Sequence, residues 1–361
     1  MTAPLARTER PVLIMAGGTG GHIFPGLAVA AELGARDVPV LWLGADGGLE
    51  TTLVPQHGIA LETLSIGGLR GKGLATALRT PLRLFRAVRA ARAVLRRHAP
   101  RSVLSMGGYV AAPGGIAARL ARIPLVVHEQ NRVPGLTNRL LARFARRVLI
   151  GFADAFPGAE WVGNPVRAAI AALPPPSARY AGRTGALRLL VLGGSQGARS
   201  LNEAVPEMLR GLGASLPVQV RHQCGAKRVD AAQAAYRAAG IDAEVLPFIG
   251  DMAAAYADAD LVICRAGALT LAELAAAGVP SILVPYPHAV DDHQTKNARA
   301  MVDAGGGVLV PEGADFVERL GTALGAMGDR SRLFRMADAA RALARPEATH
   351  RIADVCLEVA A

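Results

Sequence analysis

PVLIMAGGTGGH (residues 11–22) and LRLLVLGGSQGA (187–198) open the two halves of a 361-residue chain in the same way: an apolar run, a glycine-rich turn, then a helical pattern. A short apolar run closed by glycines reads as a buried strand, and the turn after it brings backbone amides to the start of a helix. The alternation continues along the chain, with strands expected at 12–15, 38–43, 103–105, 125–128 and 148–150. PPPSARYAGRTG (174–185) is rich in proline, glycine and small residues and reads as a linker. Beyond it, LRLLVLGGSQGA is followed by strands near 217–222, 244–247, 261–264 and 281–284. Strands alternating with alanine-rich helical runs specify an α/β protein with parallel sheets. The repeated opening implies two similar Rossmann-like domains with a cleft between them. Ligands in such sheets bind beyond the carboxyl ends of the strands, where both glycine turns fall.

Composition narrows the function classes. With 51% hydrophobic residues the chain can bury a sizeable core. Cys224, Cys264 and Cys356 are isolated, which argues against a disulfide framework or a zinc ribbon and fits a reducing cytosol. MTAPLARTERP lacks the apolar core of a signal peptide. The charge-free stretches 102–118 and 274–290 are broken by glycine and proline, against a membrane span. Residues 69–101 hold nine arginines, one lysine and no acid, so this segment carries +10 of the formal +11. Leu74, Leu78, Leu82, Phe85 and Val88 interleave with these cations at mostly helical spacing, which suits either a solvated helix face or an amphipathic helix meeting an anionic lipid surface. Nucleic acid is not expected, because Phe85 is the one aromatic among these arginines and aromatics make up only 4% of the chain.

The glycine turns match neither common nucleotide fingerprint. From Gly18 and Gly20, the sixth position of G-x-G-x-x-G is Ile23; Gly71-Lys72 is followed by Gly73 and has Ile66 at the first Walker glycine. Both turns can still offer amides and a helix dipole to an anion. The richest constellation is CRAGALTLAELAAAGVPSILVPYPHAVDDHQTKNA (264–298), which places Arg265, Thr270, Glu273 and Gln294 at one sheet edge. Thr270 and Glu273 read as a capping box. Glu273 also suits a ribose diol, which would put a nucleoside diphosphate near Ser195 and Arg265. Asp258-Ala-Asp260 spells a metal-binding D-x-D but precedes its strand and so falls at the wrong end. His288 to His293 offers ligand types without a scaffold to space them, and no metal is expected.

Seven stretches resemble, in order and spacing, the MurG family of N-acetylglucosaminyltransferases: GGTGGH (17–22), MGGYVAAPGG (106–115), HEQN (128–131), GNPVR (163–167), GGSQGA (193–198), CRAGALTLAE (264–273) and HQTKNA (293–298). They cover nearly the whole chain; Arg132, after HEQN, departs from the smaller residue expected there. Members of this family act on lipid I in bacterial peptidoglycan synthesis and have the GT-B fold, two facing Rossmann-like domains. The resemblance implies an acceptor and membrane-facing domain at 1–163, a UDP-sugar domain at 164–340, and a C-terminal helix at about 340–361 packed back on the first. It implies inverting transfer of N-acetylglucosamine from UDP-N-acetylglucosamine to the C4 hydroxyl of the muramoyl unit of lipid I, giving lipid II without metal or cofactor.

The same resemblance assigns roles. Glu273 would hold the ribose, Ile249 the uracil, Ser195 and Arg167 the phosphate side, and Gln294 the sugar hydroxyls. Arg265 would neutralise the diphosphate, with Ala268, Leu269, Thr270, Leu271 and Ala272 lining the same helix start. Thr19, Gly20, Gly21 and Asn131 would face the donor from the first domain, and Gly17, Gly18, Tyr109, His128 and Asn138 would serve the acceptor. His22 and Glu129 are both candidates for the base that the acceptor hydroxyl needs. Because lipid I is anchored in a bilayer, residues 69–101 would meet the anionic cytoplasmic face of the inner membrane. The alternatives are another GT-B enzyme, such as a UDP-N-acetylglucosamine 2-epimerase or a glycolipid glycosyltransferase, and a non-enzymatic membrane-binding protein.

Overall fold

A computed structural model describes residues 10–66, 74–194 and 197–360. It divides into two compact units, Met1–Pro165 with Glu347–Ala361, and Val166–Pro346. The stretch 67–73, which takes in the start of the basic segment, together with Ser195 and Gln196, lies outside the described residues, as do the side chains of Leu74, Leu78 and Arg79.

The first unit holds seven parallel strands, β1 (Val12–Ala16), β2 (Val40–Ala45), β3 (Ala60–Leu64), β4 (Ser102–Gly107), β5 (Leu125–Glu129), β6 (Arg147–Ile150) and β7 (Glu160–Trp161), in the order β3-β2-β1-β4-β5-β6-β7. Between them run helices α1 (Gly20–Ala35), α2 (Glu50–Gln56), α3 (Leu74–His98), α4 (Ala111–Leu120) and α5 (Leu136–Ala142). β1 is buried along its whole length because both faces of the sheet are covered. Val12, Ile14 and Ala16 pack towards α1, while Leu13 and Met15 point the other way, to Ala91, Val94 and Leu95 of α3. Each such aliphatic side chain contributes about 1.5–3 kcal/mol by leaving water.

The second unit starts with α6 (Ala168–Ala171) and α7 (Pro176–Tyr180) and is built on β8 (Leu187–Leu192), β9 (Val218–Gln223), β10 (Ala243–Leu246), β11 (Leu261–Cys264), β12 (Ser281–Leu283) and β13 (Gly307–Leu309). The strands are parallel in the order β10-β9-β8-β11-β12-β13. Its helices are α8 (Arg199–Leu212), α9 (Val229–Ala239), α10 (Met252–Asp258), α11 (Ala268–Ala277), α12 (His293–Asp303), α13 (Phe316–Gly325) and α14 (Arg330–Ala342). α15 (Ala348–Glu358) then returns to the first unit: Ile352, Val355 and Cys356 join the cluster of Val12 and Ile14, and the Ser102 hydroxyl donates to the Cys356 carbonyl at 2.7 Å.

Two expectations fail for identifiable reasons. Residues 174–185 are no linker: Pro176 starts α7, and beyond it Arg179 donates to the carbonyls of Ala277 and Gly278 while Tyr180 donates to that of Asp260. Proline pre-sets the backbone angle of a first helical turn, so a proline cluster marked a helix start there rather than a break. Strands β3, β7 and β13 escape the sequence pattern because they are sheet-edge or short elements; β3 (ALETL) is only half-buried over most of its length.

Candidate functional site

Each sheet reverses its strand order once, between β1 and β4 in the first unit and between β8 and β11 in the second. Reversal sends the two flanking loops to opposite faces and opens a crevice at their carboxyl ends. GGTGGH and MGGY fall at the first of these points, GGSQGA and the start of CRAGALTLAE at the second.

In the first unit the turn after β1 and the turn after β4 interlock. Gly18, Gly107 and Gly108 have φ of +91°, +104° and +89°, which favours glycine. A Cβ on Gly108 would overlap the Gly17 carbonyl, and one on Gly107 would sit 3.0 Å from His22 Nε2. MGGY therefore carries glycines where GGTGGH must approach. His22 lies in the first turn of α1, half-buried, with Nδ1 3.4 Å from the Thr19 hydroxyl. Gly20 and Gly21 open the same helix, and half-exposed Tyr109 stands over Gly18.

The HEQN motif builds a buried scaffold. Glu129 is 2% exposed; its Oε1 accepts the Asn131 backbone amide at 2.9 Å and side-chain amide at 3.3 Å, and its Oε2 accepts from Gly135 N at 3.0 Å and Asn138 Nδ2 at 2.9 Å. Both oxygens are thus engaged in shaping the loop after β5. Asn138 also donates to the His128 carbonyl and accepts from Ser105. His128 is 0% exposed, donates from Nε2 to the Gly163 carbonyl at 2.9 Å, and receives Gln130 Nε2 on Nδ1; burial lowers its pKa to about 4. His128 and Asn138, both expected on the acceptor side, are thus buried and bonded within the first unit. Arg132 pairs with Asp154 at 2.7 Å.

In the second unit the turn after β8 is drawn against the end of β9. Gly193 N donates to the Gln223 carbonyl at 2.9 Å, and a Cβ on Gly197 would overlap the Cys224 carbonyl. Ser195, the expected phosphate ligand, lies outside the described residues. Glu273 does not cap its helix: α11 starts at Ala268 after Gly267, and no side chain caps it. Its Oε1 instead accepts Arg167 Nε at 2.9 Å and Nη2 at 2.7 Å, and its Oε2 accepts the Tyr256 hydroxyl at 3.2 Å. Burial raises the Glu273 carboxyl above the usual carboxylate range and Arg167 opposes the shift. Leu269, Thr270 and Ala272 are half-buried on α11, but Ala268 and Leu271 face the core at 6% and 4% exposure, because a helix shows only one side to a crevice. Ile249 is buried after β10, beside exposed Phe248.

Arg265 is held rather than open. It donates to the carbonyls of Val284 and Pro285 and to the Ser200 hydroxyl, lies 2.5 Å from Glu312 Oε1, and stacks on Tyr286. It thereby ties the first turn of α8 to the loop after β12. Gln294 Oε1 accepts Tyr286 N at 2.9 Å and so braces that loop, where Asp291 and Asp292 take φ of 54° and 51°. The D-x-D spelling is ionically occupied: Asp260 is 0% exposed and bonded to Arg183, Arg330 and the Arg188 amide, and Asp258 pairs with Arg188. Tyr256, Ser200 and Glu312 give no local sequence signal, since each lies 17 or more positions from its partner here.

Family descriptions fit both units: glycosyltransferase family 28 N-terminal domain over residues 12–150 and glycosyltransferase family 28 C-terminal domain over 188–352. A relative from Xanthomonas euvesicatoria pv. vesicatoria, named UDP-N-acetylglucosamine--N-acetylmuramyl-(pentapeptide) pyrophosphoryl-undecaprenol N-acetylglucosamine transferase, is 60% identical across 100% of this chain and 84% of its own length. The chain belongs to the MurG family of glycosyltransferases. A Xylella fastidiosa member with the same name is 57% identical over 97% of this chain and 96% of its own. The crystal structure of Acinetobacter baumannii MurG matches with a TM-score of 0.85 at 40% identity, covering 97% of this chain and 99% of that one. The fold is therefore GT-B, with one parallel α/β sheet per unit. A Listeria monocytogenes structure described as a putative UDP-N-acetylglucosamine 2-epimerase has a TM-score of 0.64 at 15% identity and shares the fold alone.

Proposed function

We propose that this enzyme transfers N-acetylglucosamine from UDP-N-acetylglucosamine to the C4 hydroxyl of the muramoyl unit of lipid I, with inversion, forming lipid II and UDP. The observation that carries the reading is the 60% identity, across the whole chain, to a transferase named for this donor and this acceptor. The geometry of the two switch points supports it. In the second unit, Glu273 is a half-buried carboxylate on α11, the helix that follows β11, and suits a ribose diol, with buried Ile249 assigned to the base. Arg167 and the helix start after GGSQGA serve the diphosphate, and Gln294 with Thr270 the sugar.

In the first unit the acceptor lies on the GGTGGH and MGGY turns, with Tyr109 and Asn131 at its side. The acceptor hydroxyl must lose a proton as it attacks, and His22 is the base. Glu129 is the weaker choice, because its oxygens already accept four hydrogen bonds. Departing UDP is stabilised by Arg167 and by helix-start amides.

The substrate's lipid anchor places the enzyme at the cytoplasmic face of the inner membrane, reached through the basic face of α3. No helix among the described residues is long and apolar enough to cross a membrane. The deciding experiment incubates the enzyme with UDP-N-acetylglucosamine with and without a lipid I analogue. UDP release only with the acceptor is expected, whereas epimerisation of the sugar without acceptor would overturn the reading. His22→Ala should lower turnover by roughly 10² to 10⁴ fold and leave UDP affinity unchanged; an equal loss in UDP affinity would remove His22 from the base role.

A further inference from the structure

Glu50 is the first residue of α2, and it is 0% exposed. Its carboxylate accepts the Ala45 amide at 2.8 Å on Oε1 and the Gly18 amide at 3.2 Å on Oε2. Three glycines make way for it, since a Cβ at Gly17, Gly44 or Gly48 would overlap its side chain. Removing a carboxylate from water carries a large desolvation penalty, and two amides are fewer partners than its oxygens can accept. An apolar side chain of the same volume would be easier to bury. The two amides need an acceptor, but a neutral one would meet that need at a lower cost of burial, so stability alone gives no reason for a carboxylate at this place.

The identity of the partner does. Gly18 stands at φ +91° in the turn that joins β1 to α1, and its amide points inward at Glu50. With that amide turned in, the chain runs extended through Thr19 (φ −129°, ψ 155°) and α1 begins at Gly20, which sets His22 against Gly107. The amides of Gly20 and Gly21 precede the first bond of α1, from His22 N to the Thr19 carbonyl at 3.0 Å, and form the anion-binding end of the turn. With the Gly18 amide taken by Glu50, the turn offers an incoming diphosphate its Gly20 end instead.

We propose that Glu50 is a positioning residue for transfer: it sets the GGTGGH turn from beneath, so that His22 and the α1 amides meet the acceptor. The proposal rests on the acceptor role given above to the first unit. Glu50→Gln keeps the volume but turns an NH₂ group towards one of two amides that need an acceptor. Three measurements on the full-length protein separate positioning from bulk stability: steady-state kinetics with a short-chain lipid I analogue, UDP calorimetry, and hydrogen–deuterium exchange. The expected result is a kcat/KM for the acceptor lowered roughly 10- to 100-fold, with UDP affinity within about twofold of wild type and the melting temperature within about 4 °C. Residues 17–22 should exchange about tenfold faster while β8 and β11 are unchanged. Acceptor kinetics within about twofold of wild type, or parallel losses of acceptor turnover and UDP affinity, would overturn the role. A wild-type enzyme inactive on lipid I would instead sink the proposed function; unaltered exchange at 17–22 in Glu50→Gln would then still reject Glu50 as the strut.

Discussion

At the scale of single residues, the informative pair is Glu273 with Arg167. The carboxylate that suits a ribose diol is already engaged: two guanidinium donors fill Oε1, and the Tyr256 hydroxyl takes one place on Oε2. If Glu273 holds the ribose as proposed, a diol needs two acceptor positions, and Arg167 would release at least one bond on donor binding. Once released, the guanidinium is available to the diphosphate that enters with the ribose. The two halves of the nucleotide should then respond with opposite signs to loss of the arginine. Arg167→Ala is expected to weaken UDP by about tenfold or more, the scale of one charge-assisted hydrogen bond, while uridine binds as well as before or better. Glu273→Ala should weaken both. Calorimetry with uridine and UDP reads this directly, and parallel losses of both ligands in Arg167→Ala would mean that the arginine only orients Glu273.

At the scale of elements, α3 shows what a sequence pattern can and cannot separate. The sequence places leucines, a phenylalanine, a valine and arginines on one amphipathic helix, and the helix forms over Leu74–His98. Its apolar residues serve two faces. Ala87, Ala91, Val94 and Leu95 are buried against the sheet with Val88 packed beside them, whereas Leu82 and Phe85 stand 52% and 64% exposed among Arg83, Arg86 and Arg89. The pattern over residues 74–88 could not assign the faces, because two small alanines with Val94 and Leu95, rather than Leu82 and Phe85, make the core contact. The same limit applies to α11, where Glu273 read as a cap until the helix proved to start at Ala268, and to α7, whose prolines read as a break. Central strands were legible, being apolar on both faces; the buried polar scaffold of His128, Glu129 and Asn138 was not, because its partners are set by the loop after β5. An exposed apolar pair ringed by cations suits an anionic bilayer, where each cation contributes about 1 kcal/mol. Arg83, Arg86 and Arg89 changed together to Glu should lower co-sedimentation with anionic vesicles at least about tenfold and reduce turnover of bilayer-held lipid I, with a short-chain acceptor still used. Salt should weaken the wild-type binding. Equal vesicle binding by both proteins at low salt would return α3 to a solvated face.

At the scale of the whole molecule, each unit buries one histidine as the neutral ring: His128 in the first, between the Gly163 carbonyl and Gln130, and His222 in the second, 2.9 Å from the Tyr236 hydroxyl. Burial lowers both to about 4. In the unfolded chain the same rings take a proton near pH 6.5. As pH falls below about 6.5 the unfolded state binds protons that the folded state refuses, so stability present at neutral pH is lost progressively down to about 4. By pH 5 the linkage amounts to roughly 2 kcal/mol per histidine, before ordinary carboxylates begin to titrate. In units of this size that corresponds to a fall of about 4–8 °C in melting temperature. Calorimetric scans at pH 7.5 and 5 should show the fall in both units. His222→Gln, which cannot titrate, should start from lower stability at pH 7.5 and lose less of it on acidification, in the second unit alone. A wild-type melting profile that stays flat from pH 7.5 to 5 would show that the histidines are hydrated or paired in solution and carry no such linkage.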